Sequence, residues 1–218
     1  MEKQLKKFTA DENFFISAVQ QELFNRIFPT IRHDLVGYLS ASLMRVSIMD
    51  RYLNKEEVIP DQLKTELLKI ESQLRSGISG IRALEFWDFQ SKHDDYPSEI
   101  LKKSVELMST QLAMKSIQLI VVPHEIEDIE KVETKPLLYC LLCLLSYIED
   151  NNFENNNLNI RQIAKSIAIG LEPKIAQNTI AIKKIRNLTI NQELALDFAK
   201  FHNMNINFGI EEITLTWN

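Results

Sequence analysis

Between Phe24 and Leu53 apolar residues recur at Phe24, Phe28, Ile31, Leu35, Leu39, Leu43, Val46, Met49 and Leu53. These spacings of three and four lay one continuous stripe along a helix. A second stripe follows at Leu63, Leu67, Ile70, Leu74, Ile78, Ile81 and Leu84. Between them, NKEEVIPD reverses the chain, and Pro60 stands where a helix can start, because the first helical N–H has no intrahelical acceptor to lose. The pattern predicts an antiparallel helical hairpin within residues 1–95. A lone hairpin has an apolar seam on each helix and too little mass to cover both. Two copies joined in a two-fold four-helix bundle would cover them, so the sequence predicts a homodimer.

The whole chain has 218 residues, 45% of them hydrophobic and 25% charged, enough to bury a core in one domain or two small ones. A formal charge of -5 gives no basic footprint for a phosphate backbone, so nucleic acid is not an expected partner. The opening MEKQLKKFTADE lacks the apolar core of a signal peptide, and PLLYCLLCLLSYI falls short of the ~20 residues that span a bilayer. The expectation is a cytoplasmic protein with no membrane contact. Cys140 and Cys143 form a CLLC spacing inside that apolar run. With no second Cys or His pair at ligand spacing they read as buried structural thiols, and no metal or cofactor is expected.

Residues 96–218 alternate differently. A helix from Ser98 to about Met114 precedes the β-branched run SIQLIVV, and a helix from Lys135 to about Asp150 precedes LNIRQIA and SIAIGLE. A helix over Gln192 to His202 then leads into MNINFG and EITLTW. This order predicts an α+β sandwich with a mostly antiparallel sheet under a helical layer.

One feature of the first stripe stands out. At about 100° per residue, His33 lies opposite the apolar face, two positions from both Ile31 and Leu35. Arg26, Thr30, Gly37 and Ser40 fall on the same outer face, so an imidazole would stand among small side chains with a cation one to two turns away. The residues leave two readings open: a solvated His with a plain surface charge at Asp34, or a reactive pair.

RHDLVGYL resembles the phosphoacceptor box of bacterial two-component histidine kinases, in which a His followed by an acidic residue sits on the first helix of a dimerising hairpin. SEILKKSVELMSTQLAMKSIQLIVV, KPLLYCLLCLLSYIEDN and LALDFAKFHNMNINFGIEEITLTW resemble, in order and spacing, parts of the kinase ATP-binding domain. The likeness covers about residues 20 to 218. It implies a phosphoacceptor hairpin over 1–95 and an ATPase-like domain over 96–218. Where the family's central helix carries two asparagines, one of which helps hold magnesium, this chain has Cys143 and Tyr147, neither suited to a hard cation. Where the family has glycine-rich boxes, between about residues 160 and 195, only Gly170 is found. The second domain therefore reads as degenerate, without ATP.

The resemblance then implies a histidine phosphotransfer protein of a phosphorelay. His33 would carry the phosphoryl group between receiver aspartates, with Asp34 orienting or polarising the ring and Arg26 or Arg32 offsetting phosphoryl charge. Thr30, Gly37 and Ser40 would complete the partner-binding face. Implied partners are response-regulator receiver domains and an upstream hybrid histidine kinase. Phosphatase activity is not implied, because Gly37 stands where family phosphatases place an amide or hydroxyl. The rival reading is a silent, pseudokinase-like interaction protein, and an active ATP-dependent kinase ranks last. His93, His124 and His202 read as structural or exposed.

Overall fold

The computed structural model describes residues 10–55, 59–84, 93–123, 130–151, 157–171 and 189–217. The chain divides into two units, Ile27–Ser91 and the combination of Met1–Arg26 with Lys92–Asn218. Helix α1 (Ala10–Leu53) contributes to both.

In the first unit, α2 (Pro60–Ala83) starts at Pro60 after an extended Ile59. Its pairing with α1 runs in opposite directions. Ile31 lies beside Gly80, and Leu35 Cδ1 stands 3.3 Å from where a Cβ would be at Gly77. Further along, Ser42 Oγ donates to Gln73 Oε1 at 3.2 Å and Arg45 Nη1 donates to Glu66 Oε2 at 2.8 Å. Hydrogen bonds from Lys69 and then Arg45 hold the Glu66 carboxyl below the usual carboxylate range. The seam is thus small and polar at several levels. The apolar stripe is wider than this contact. One edge, at Ile31 and Leu35, meets α2, whereas Leu39, Leu43, Val46, Leu67, Leu74, Ile78 and Ile81 remain between 43 and 69% exposed.

In the second unit, α3 (Pro97–Ala113) buries Ile100, Leu101, Ser104, Leu107, Met108, Gln111 and Leu112, one face at helical spacing. It ends where Ser116 turns left-handed (φ 59), which lets the Ile117 N–H reach the Leu112 carbonyl at 3.0 Å. Strand β2 (Gln118–Val121) follows. A two-residue ribbon of β1 (Asp94–Asp95) and β3 (Val132–Glu133) leads into α3 and α4 (Thr134–Asp150). Helix α4 neighbours α3 on one side and α5 (Gln192–Phe201) on the other. Every residue from Leu137 to Ser146 is buried. Ten consecutive positions cover all faces of a helix, so α4 is enclosed rather than amphipathic.

The sheet adds β4 (Asn157–Ile163), β5 (Ser166–Gly170), β6 (Met204–Phe208) and β7 (Glu212–Trp217) in the order β2-β4-β5-β7-β6. Among the described strands only the β2–β4 pair is parallel. Strict alternation in β4 puts Leu158 and Ile160 inside and Asn159 and Arg161 outside, and the register sets Ile160 against Ile169 and Ile169 against Ile213. The α+β expectation therefore holds, with the helices and strands of this second unit from α3 onward within a few residues of their predicted ranges.

Two differences come from the start of the chain. The first helix begins at Ala10 rather than near Phe24, and it passes through Pro29. Ile16, Val19 and Leu23 are buried, so residues 10–26 belong with the α/β unit, where the sequence had suggested a single division near residue 95.

Candidate functional site

His33 lies on the outer side of α1, its side chain 76% exposed. Its Nδ1 is 3.2 Å from Asp34 Oδ1. An ionised carboxylate can only accept, so this contact uses the form of the ring that carries a hydrogen on Nδ1, and in the tautomer without a second proton the lone pair is on Nε2. Asp34 is half-buried beside it. Of the other residues expected here, Arg32, Gly37 and Ser40 are exposed and Thr30 is half-buried.

Gly37 differs from the other two helical glycines. A Cβ at Gly77 would press on Leu35 and one at Gly80 would touch Ile31, but a Cβ at Gly37 would meet nothing within 4 Å. A glycine in a helix interior costs about 1 kcal/mol relative to alanine, and no contact within the hairpin explains the choice at residue 37.

Arg26 is not part of this face. Only 2% of its side chain is exposed. It donates to Glu22 Oε1 at 2.8 Å and to Asp150 Oδ2 at 2.8 Å, with Glu149 Oε2 at 3.7 Å. Gln111 donates to Glu149 at 2.6 Å, and the Ile190 N–H donates to the same Asp150 oxygen at 2.8 Å. The expectation that Arg26 offsets phosphoryl charge is therefore corrected: its guanidinium neutralises buried carboxylates of α1 and α4. The wheel put Arg26 on the same angle as His33, but what covers that angle changes two turns up the helix. The network was missed in the sequence, although Glu22 and Arg26 at i,i+4 and an acidic pair closing an apolar helix, SYIED, were its visible signs.

The thiols fit their structural reading. Burial pushes Cys143 up to about 12, with Arg26 pulling slightly the other way, and pushes Cys140 well above the usual thiol range. Tyr147 packs edge-on against Phe208 at 5.0 Å, and burial raises its phenol too. His202 closes α5 between the rings of Phe198 and Phe201 at 4.8 and 5.1 Å, and Asn203 follows in the left-handed conformation (φ 57). Its Nε2 has no hydrogen-bond partner among the described residues, and burial brings its pKa down to about 4. His93 is exposed and its carbonyl accepts the Thr134 N–H, while neighbouring Asp95 is held by Lys103 at 2.6 Å. His124 lies outside the described residues, as do residues 172–188 of the stretch expected to hold glycine-rich boxes. Among the described residues no group of His, Cys, Asp and Glu could hold a metal ion, and no helix is long and apolar enough to cross a membrane.

No protein-family model and no curated protein matches the chain. Solved structures do. A bacterial phosphotransferase is 13% identical, with 96% of this chain and 97% of that one covered and a TM-score of 0.40. The cytoplasmic segment of the histidine kinase QseC is 17% identical over 60% of this chain and 80% of its own, with a TM-score of 0.39. The Acinetobacter baumannii histidine kinase AdeS is 12% identical over 85% and 97%, with a TM-score of 0.38. Likenesses this distant leave function to be argued from the chain's own residues.

Proposed function

We propose that the chain is a histidine phosphotransfer protein in which His33 shuttles a phosphoryl group between receiver aspartates. The observation that carries this reading is the exposed His33 ring with its Nδ1 3.2 Å from Asp34 Oδ1, which leaves Nε2 as the nitrogen to react. In the step proposed, the Nε2 lone pair attacks the phosphorus of a receiver's aspartyl phosphate. A nitrogen–phosphorus bond forms as the phosphorus–oxygen bond to the aspartate breaks, and the electron pair leaves on that carboxylate. The ring gains positive charge, which the Asp34 carboxylate at Nδ1 offsets, and the receiver's own divalent cation stabilises the phosphoryl oxygens. Arg32 remains the exposed cation on this stretch of α1.

The exposed stripe at Leu39, Leu43, Val46, Leu74 and Ile78 supports a second copy of the hairpin as its cover, in a dimeric four-helix bundle. Light scattering should give about twice the chain mass, and a chain that stays single at high concentration would remove the dimer. ATP-dependent autophosphorylation is not part of the proposal, because a buried thiol and a packed phenol ring stand at Cys143 and Tyr147. Micromolar ATP binding in a calorimetric titration would reinstate it.

The test of the carrier is transfer itself. Incubation with a phosphorylated receiver should leave an acid-labile, base-stable phosphate on the protein, and His33→Gln should abolish it while receiver binding persists. A wild-type chain that binds a phosphorylated receiver tightly but takes no label is a silent interaction protein instead.

A further inference from the structure

We infer that Gly37 sets the clearance in front of His33, so that the backbone or a broad side chain of the phosphoryl donor can stand against α1 where any other residue would place a side chain. The inference rests on the phosphotransfer reading above and names a specificity-determining residue for it. Gly37 is one turn after His33, on the same outward side. It is exposed, and a Cβ built on it would meet no atom of the described residues within 4 Å. Helix geometry gives no reason for it either, because no glycine in the chain has a positive φ.

A mid-helix glycine runs against helix propensity, and with no neighbour among the described residues that needs the space, it leaves room for something that arrives. The position narrows what arrives. Asp34 holds Nδ1, so the approach is to Nε2, and a side chain at residue 37 would rise beside that path. A small phosphodonor could pass such a side chain. A folded receiver, whose aspartyl phosphate is recessed among its own loops, must bring its surface down to the helix before phosphorus and nitrogen come within reach.

Two variants and one small reagent test this. Gly37→Leu should slow transfer from a phosphorylated receiver on the order of 100-fold, yet leave carbethoxylation of His33 by diethyl pyrocarbonate within about twofold of wild type, since that reagent needs no broad approach. Gly37→Ala should raise the thermal midpoint by about 2–4 °C through helix propensity and slow transfer by roughly tenfold. Ser47→Leu, an added exposed leucine about ten residues further along α1, should transfer at the wild-type rate. A Gly37→Ala chain that gains stability and keeps full transfer overturns the inference, as does a Gly37→Leu chain at wild-type rate or one in which the small reagent is blocked equally. If the wild type takes no label from any receiver, the phosphotransfer reading itself falls and this inference goes with it.

Discussion

Leu142 and Leu43 are the same side chain in two helices of one chain, yet Leu142 is wholly enclosed and Leu43 is 69% exposed. The difference lies in what each helix finds around it. Helix α4 has neighbours on several sides, so even its polar C-terminus, Glu149 and Asp150, is buried and neutralised by Arg26. Among the described residues the two hairpin helices meet through glycines and polar pairs, and Leu39, Leu43, Leu74 and Ile78 stay exposed. A helix enclosed on all faces makes a folding core, whereas an exposed apolar stripe adds little to the stability of its own unit.

The largest effect expected from breaking this contrast is at the charge network. Arg26→Ala should cost about 3–5 kcal/mol in chemical unfolding, because it strands carboxylates in a buried setting rather than merely removing an attraction. A loss below about 1 kcal/mol would mean that those carboxylates are relieved by solvent or protons.

The paired leucines give the next test. Leu142→Ala should cost about 3–5 kcal/mol, through lost transfer energy and the cavity left in an enclosed helix. Leu43→Ala should cost under about 0.5 kcal/mol when the chain is dilute enough to be single, and more as concentration rises. Equal costs at all concentrations would erase the distinction between the two regions.

A smaller, pH-dependent effect belongs to His202. Burial lowers its pKa from 6.5 to about 4, so below pH 6.5 the unfolded chain takes up a proton that the folded chain refuses. Stability from this group is complete above pH 6.5 and declines as pH falls toward 4. Thermal midpoints should therefore drop between pH 6.5 and 5, before most carboxylates titrate, and His202→Gln should flatten that slope. A slope unchanged in the variant would assign it to other groups.

The smallest effect is conformational. Ala164, in the turn between β4 and β5, is held at φ 48, a left-handed conformation that a Cβ disfavours. Ala164→Gly should raise stability by about 0.5–1 kcal/mol, visible as a small rise in thermal midpoint.

Much of the architecture was legible because periodicity reports directly on which side of an element is covered. The β4 alternation, the α3 spacing, Pro60 at the start of α2 and Asn203 at the end of α5 all obey local rules, and the structure follows them. The outward placement of His33 was legible for the same reason, since a helical angle depends only on sequence separation. Arg26 shows where that logic stops. It shares His33's side of the wheel, but a wheel gives an angle and no account of what packs there.

By itself the sequence determined the element order, the face on which His33 and Asp34 sit, and the apolar excess of the hairpin, because these follow from residue spacing along one chain. Only the tertiary structure decided that residues 10–26 join the α/β unit, that Arg26 is consumed by Glu22, Glu149 and Asp150, and that Gly37 alone among the helical glycines faces open space. The Arg26 network is completed by Glu149 and Asp150, more than a hundred residues away, and burial of a charge or a Cβ is set by neighbours in space rather than by neighbours in sequence.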